Sequence, residues 1–409
     1  MTQTHRQSIG IILLLAFLSA VGPFSIDTYL PSLPNIAAEF NISSAITQHS
    51  VSSFFFGLAA GQLLAGPLSD RFGRRPILLG GFSLFFLATI ACALAPNVTV
   101  LIFARALQGL AASASPAAGR AVVRDLWSGN DAAKAMSYVV MAMSIAPMIA
   151  PTLGGIVLMF FDWRMIFWLL LVFAGVAITL ILLYLPETNG PEKRHDVRLI
   201  NYFKAYRKVL RSKMSWAYFI SGGLSTASMF AYITGAPFVY IELFGVSQTY
   251  FGAFFAVNVI GLFLGNWLNS RLVTHYGYHK LLVVGSTISL SGALFLLAGA
   301  YFQWHSLLTL VIGLFSVVAP VSFVSSNSNV GVLNLFPKNA GAASALFGLS
   351  QFGLGAFASL LVGFLHNGTE LAMAMVIGLT AAGSFIAAWW ILLFSKPEEP
   401  SESDKSLAG

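Results

Sequence analysis

Charge is what this chain has least of. Asp, Glu, Lys and Arg make up 9% of its 409 residues, against roughly 25% in soluble domains. Hydrophobic residues make up 57% and aromatics 13%, and the mean hydropathy is +0.80. That balance excludes an ordinary soluble protein and leaves a polytopic membrane protein. The single cysteine, Cys92, lies in an apolar run, so no intramolecular disulfide can form and a small buried apolar role is expected. No phosphate-binding Gly-Lys-Ser/Thr loop is present, which argues against coupling to ATP. The seven histidines fall in tails, loops or near helix ends. His275 and His279 have helical i,i+4 spacing, but no third ligand accompanies them and no metal site is expected.

What the chain has instead is apolar runs of roughly 20 residues, the length that crosses hydrocarbon. Twelve are predicted, at about 8–32, 47–68, 76–95, 98–119, 132–158, 164–185, 214–236, 250–270, 281–301, 306–329, 340–364 and 371–394. The first has a weak signal-peptide look but no convincing cleavage site, so it reads as a retained helix. Lys and Arg fall twenty to one on alternate loops, with only Arg164 on the poorer side, which places both termini in the cytoplasm. The same rule explains the net charge of +7 without any nucleic-acid partner. The expected fold class is an all-α membrane protein of two six-helix halves, 1–188 and 214–394. Between them lies a basic cytoplasmic linker, 189–213, with an amphipathic helix near 200–210 and a capacity for anionic lipid heads. A Glu/Ser/Pro-rich tail, 395–409, is expected to be disordered. A weak repeat supports two halves: Gly66-x3-Asp70-Arg71-x-Gly73 after helix 2 is echoed by Gly265-x3-Asn269-x-Arg271 and Gly277 after helix 8.

Two charges cannot be moved to a membrane boundary. Asp27, in Pro23-Phe-Ser-Ile-Asp27-Thr-Tyr29-Leu-Pro31, puts a carboxylate where it costs several kcal/mol unless it is neutral, paired or wet, and marks a functional site by default. Arg105 in helix 4 lies about 10 Å deep at ~1.5 Å per residue. A structural salt bridge between the two and a functional proton-exchanging carboxylate beside Arg105 are both open readings. The short loop Gly66–Arg75 holds one acid and three bases. Gly66 is expected to let a neighbouring helix approach closely, Asp70 to accept from helix N-terminal amides or pair with a base, and Gly73 to make the tight turn. Together with Arg71, Arg74 and Arg75 they read as a cytoplasmic gate, the plainer alternative being topology-setting bases with an incidental acid.

Gly66-x3-Asp70-Arg71-x-Gly73-Arg74-Arg75 resembles the signature loop of the major facilitator superfamily at every defining position. Leu101-x3-Arg105-x2-Gln108-Gly109 resembles the buried-arginine motif of its proton-coupled carriers. Ala146-Pro147-x2-Ala150-Pro151-x2-Gly154-Gly155 resembles the antiporter motif, with Ala150 where Gly is usual. With Ser25-Ile-Asp27-Thr-Tyr29-Leu-Pro31, Asp162-Trp-Arg164 and Pro186-Glu-Thr188, the chain is similar to the bicyclomycin-resistance (Bcr/CflA) group of drug:proton antiporters.

The resemblance implies proton-coupled multidrug efflux across the bacterial inner membrane by a chain that is not an enzyme, needs no cofactor beyond the coupling proton, and is a monomer in membrane lipid. Asp27 would carry proton and substrate, with Arg105 as its electrostatic partner. Tyr29, Met141, Met143, Phe230, Tyr232, Asn258, Asn327 and Gln351 are candidate cavity lining, interhelical hydrogen bonding being the alternative for the amides. Export of an endogenous metabolite is a second transport reading, and a nontransporting receptor is one from another class. A membrane-embedded enzyme would need a clustered intramembrane His, Asp or Ser/Lys constellation, and none is visible.

Overall fold

The computed structural model describes residues 3–190, 192 and 199–395. Among them twelve spans are long and apolar enough to cross a membrane: α1 (Ile9–Phe40), α2 (Ser44–Phe72), α3 (Arg74–Ala93), α4 (Val98–Leu126), α5 (Gly129–Phe160), α6 (Arg164–Tyr184), α7 (Lys213–Leu243), α8 (Gln248–Tyr276), α9 (Tyr278–Tyr301), α10 (Leu307–Leu335), α11 (Pro337–Phe364) and α12 (Leu371–Phe394). No strand occurs among the described residues. The expected twelve helices are found, but α1, α4, α7 and α10 run past their expected ends. Hydropathy stops at the first polar residues, whereas helical hydrogen bonding continues beyond the apolar band. An amphipathic linker helix, Leu199–Leu210, precedes α7 and buries Tyr206 and Val209. Of the expected linker, 191 and 193–198 lie outside the described residues, as does the tail from 396 onward.

The two halves repeat one plan. The turn from α2 to α3 is made at Gly73 (φ +105°) and the turn from α8 to α9 at Gly277 (φ +75°), conformations that a side chain resists. His275 and His279 fall on either side of Gly277, so the helical spacing expected for that pair is broken. Every third span is interrupted near prolines. In α1 the helix stops at Asp27 and resumes through a single tight turn, Leu30–Ser32, and α4 breaks at Ser113 ahead of Pro116. After Pro237, α7 ends in a widened turn, Phe238–Leu243, and α10 breaks before Pro320. Proline removes a helical donor and collides with the preceding turn, and irregular backbone is tolerated at membrane depth where it faces a cavity or protein. These four spans supply much of a central cavity.

The turns after α2, α4, α8 and α10 form the basic end of the molecule. At the opposite end the halves pack directly. Ser44 at the start of α2 donates to both carboxylate oxygens of Glu242 at the end of α7, at 2.8 and 2.9 Å, and α5 lies against α8. Deeper in, Phe55 of α2 stacks on Phe230 of α7 with centroids 4.1 Å apart. The outer surface is apolar, with Phe103, Leu183 and Phe364 among its exposed side chains, a surface suited to lipid rather than water.

Candidate functional site

The central cavity has a volume of about 400 Å³, within the range of drug-sized sites. Asp27 lines it, at the residue where the helix of α1 ends. It is 4% exposed, and no hydrogen bond or ion pair from a described residue reaches its carboxylate. Tyr232, Phe230, Asn258 and Gln351 line the same space. Asn258 Nδ2 donates to the Tyr232 hydroxyl at 3.0 Å, and Gln351 Nε2 donates to Ser325 Oγ at 2.7 Å and Thr226 Oγ1 at 3.0 Å. The two readings offered for these amides therefore coexist: they bond between helices and still face the cavity. Met143 is also in the lining.

Three expected lining residues lie elsewhere. Tyr29 is fully buried, bonded through its hydroxyl to Ser50 Oγ at 2.7 Å and covered by Arg105. Met141 sits on an exposed helix face, 47% accessible. Asn327 is buried and donates to Asn269 Oδ1 at 2.8 Å, a link between α10 and α8.

Of the two open readings for Asp27 and Arg105, the direct salt bridge is not formed. Arg105 Nη1 donates to the Ser25 carbonyl at 3.2 Å and to Gln108 Oε1 at 2.6 Å. Gln108 Nε2 in turn donates to Thr89 Oγ1 at 2.8 Å. The guanidinium carbon lies 4.4 Å from the Phe54 ring centre and 4.6 Å from that of Tyr29, and Nε and Nη2 make no hydrogen bond. Carbonyl, amide and ring faces hold this buried cation without an anion. Arg105 thus ties α4, α3 and α1 together inside one half.

The α5 motif shapes two interfaces at once. A Cβ on Gly154 would stand 2.1 Å from the Thr28 carbonyl oxygen in the interrupted part of α1, and one on Gly155 would stand 2.4 Å from the Gln248 carbonyl oxygen of α8. Consecutive residues of one helix thus admit a backbone of their own half and a backbone of the other. Pro147 lines the cavity, and Ala146, Ala150 and Pro151 are buried. Neither proline can donate to the carbonyl four residues before it, leaving those of Met143 and Pro147 without a helical donor beside the cavity.

At the basic end Asp70 pairs with Arg74, whose Nε donates to Asp125 Oδ2 at 3.0 Å, and the Tyr202 hydroxyl of the linker helix also donates to Asp70. Burial, reinforced by the Asp70 carboxylate, holds the Tyr202 hydroxyl well above the ordinary tyrosine value and pushes that of Tyr206 up to about 12. Arg75 Nη2 donates to the Leu182 carbonyl at 2.7 Å, while Arg71 lies over Phe72. The Arg74 amide is capped by Glu187 at 3.0 Å, not by Asp70. The close helix approach expected at Gly66 is absent: its missing Cβ would meet nothing within 4 Å. In the second half Gly265 does take such an approach, 2.3 Å from the Ala319 carbonyl oxygen to a built Cβ.

Sequence reasoning passed over Asp125, Tyr202, the Ser44–Glu242 link and, in the cavity itself, Arg120. The signal for Asp125 was an acid beside Arg124 among topology-setting bases. Arg120 carried none, because a base six residues before a helix end reads as loop charge.

The sequence model of the Major Facilitator Superfamily matches residues 13–359. An uncharacterized MFS-type transporter of Bacillus subtilis is 34% identical, the match covering 92% of this chain and 94% of that protein. A bicyclomycin resistance protein homolog of Haemophilus influenzae is 31% identical over 93% and 95%, and multidrug resistance protein D of Escherichia coli is 28% identical over 96% and 98%. The crystal structure of a D-xylose-proton symporter superposes with a TM-score of 0.74 at 17% identity, covering 95% of this chain and 98% of that one, a likeness of fold.

Proposed function

This chain belongs to the Major Facilitator Superfamily, in its bicyclomycin-resistance (Bcr/CflA) group, and is a multi-pass inner-membrane transporter of small molecules rather than an enzyme; from that premise we propose that it exports drugs in exchange for protons. The observation that carries the reading is the state of Asp27: a carboxylate in the wall of a drug-sized cavity, with no donor or cation among the described residues to hold its charge. Such a group exchanges a proton for a cationic or hydrogen-bonding substrate, because each stabilises it in turn.

The excess of Lys and Arg at the basic end supports a cytoplasmic placement of that end. The cavity runs from Asp27 toward it, reaching Arg120 and Ser344, while the halves are packed together at the other end. This is an inward-facing arrangement, ready to take substrate from the cytoplasm. Substrate would bind at ionised Asp27, the halves would rock, the α5–α8 packing would part, and a proton from outside would displace the cargo and favour return. Neither Arg105 nor a metal or cofactor is asked to take part in the exchange.

Everted membrane vesicles test the proposal. Drug accumulation is measured across a small panel with and without a pH gradient, comparing wild type with Asp27→Asn. The expected result is gradient-dependent accumulation that Asp27→Asn abolishes. Accumulation indifferent to the gradient would refute proton coupling, and full activity of the variant would move the coupling site away from Asp27.

A further inference from the structure

Among the described residues the cavity wall has two charged side chains, and they do not meet. Asp27 stands at its deep end and Arg120 of α4 near the basic end. Arg120 follows Arg105 by about 22 Å of helix at ~1.5 Å per residue, and Arg105 touches α1 two residues from Asp27. Side chains lean toward the helix N-terminus, so Arg120 reaches back toward Asp27, leaving a separation on the order of 10 Å or more. Although it lies within the protein, Arg120 is exposed to the cavity, and no hydrogen bond or ion pair from a described residue engages it.

The two charged groups of the wall are of opposite sign and neither is engaged by a described residue, while the Asn329 side-chain oxygen of the same wall is also without a partner. In the same wall as Asp27 the Asn258 side-chain oxygen is buried without a donor, so the Asp27 end offers a carboxylate and an amide oxygen as free acceptors, with the Tyr232 hydroxyl beside them. The Arg120 end offers a guanidinium, a donor fork suited to carboxylate or phosphate. Between them the wall is largely apolar, with Phe230, Phe255 and Phe352. A lipophilic monocation would satisfy one end and leave a desolvated guanidinium facing its apolar body. An elongated molecule with an ammonium at one end and an anionic group at the other satisfies both.

We propose that the central cavity is a two-pole site selective for amphoteric substrates, with Asp27 and Asn258 receiving the cationic group and Arg120 the anionic one. The assignment rests on the transport reading above and specifies its substrate class.

The test is equilibrium binding without any gradient, using purified protein in nanodiscs at neutral pH and two fluorescent probes. Norfloxacin carries an ammonium and a carboxylate at opposite ends of an aromatic body, and its methyl ester carries the ammonium alone. Wild type should prefer the acid by about tenfold, the worth of one charge-assisted contact at ~1.4 kcal/mol. Arg120→Gln should bring the acid down to the ester's affinity while the ester changes by less than about twofold. Arg120→Lys should keep most of the preference, and unchanged ester binding serves as the folding control for both variants. Asp27→Asn should weaken both probes alike. Equal affinity of wild type for the two probes, binding of neither, or an equal loss of both in Arg120→Gln overturns the proposal. Because no gradient is applied, a failure of proton coupling leaves this result standing, and a coupled exporter that ignores the carboxylate refutes only the two-pole assignment.

Discussion

Arg105 Nη1 holds the backbone carbonyl of Ser25 at 3.2 Å, two residues before Asp27, and leaves the carboxylate alone. The buried cation fixes the last turn of the short helix Val21–Asp27 within α1, and thereby the point at which the carboxylate enters the cavity. Its remaining contacts, with Gln108, Phe54 and Tyr29, are all to uncharged groups of the same half. Arg105 is therefore a positioning residue rather than the second half of an ion pair.

The two roles separate on substitution. Hydrogen bonds from a charged donor contribute about 1.5–3 kcal/mol each, so Arg105→Gln should lower thermal stability and weaken drug binding. It should move the pH midpoint of drug binding by less than about 1 unit, since the charge removed is not the one facing the carboxylate. A larger shift, measured by binding titrations across pH, would show that Arg105 acts on Asp27 directly.

The linker helix is bonded to the other end of α2. Tyr202 donates to Asp70, and Tyr206 donates to the Leu63 carbonyl at 3.0 Å, so the linker is tied to the first half while it packs on α11 of the second. Tyr202→Phe removes one bond to a carboxylate that Arg74 still neutralises. The expected effect is small on stability, within about 1 kcal/mol. A larger effect is expected on the rate of alternation, read as faster drug exchange in counterflow. Unchanged exchange in both Tyr202→Phe and the Tyr202→Phe, Tyr206→Phe double variant would reduce the linker to a tether.

Glu370, in the turn between α11 and α12, offers a pH test outside the membrane spans. Burial raises its carboxyl above the ordinary value of 4.5, with nearby His305 opposing the shift. A folded-state value above the unfolded one means that the native state binds the proton more tightly. The associated stability is full below about 4.5 and is lost as pH rises through the raised value. Glu370→Gln mimics the protonated form. It should leave the unfolding temperature unchanged in acid and raise it at neutral pH. Equal effects at both would remove ionisation as the cause.

Twelve spans, the tight turn at Gly73 and the anomalous depth of Asp27 are legible in the sequence because each is a local property: run length, a residue type at a turn, a charge among apolar neighbours. The partner of Arg105 is not legible. A buried guanidinium can be satisfied by carbonyls and ring faces that any sequence supplies, and only the break in α1 brings the Ser25 carbonyl within reach. Arg120 is missed for the opposite reason. Hydropathy ends the fourth helix near 119, whereas the helix continues to Leu126 and carries the base along a cavity instead of into a loop. Met141 and Met143 show how far periodicity goes: two residues apart on one helix, they point to different sides, and only Met143 reaches the cavity.

Gly66 is expected to admit a close helix approach and Gly155 belongs to the α5 motif, and the structure separates the two sharply. A Cβ on Gly155 would stand 2.4 Å from the Gln248 carbonyl oxygen of the opposite half, while one on Gly66 meets nothing within 4 Å. Backbone cannot yield as a flexible side chain does, so Gly155→Ala must push α5 and α8 apart at the end where the halves are closed. It should shift the population toward the state open at that end, with drug affinity from the basic side reduced about tenfold for ~1.4 kcal/mol of displaced equilibrium. Gly66→Ala should leave this state undisturbed, and any effect would have to come from the alternative state, where the basic end closes and the α2 terminus meets new neighbours. Thiol labelling of a cysteine introduced at Ser247, in a Cys92→Ser background, reads the opening. Gly155→Ala should accelerate labelling and Gly66→Ala should slow or leave it. Acceleration by Gly66→Ala with none by Gly155→Ala would reverse the assignment of which glycine holds the closed interface.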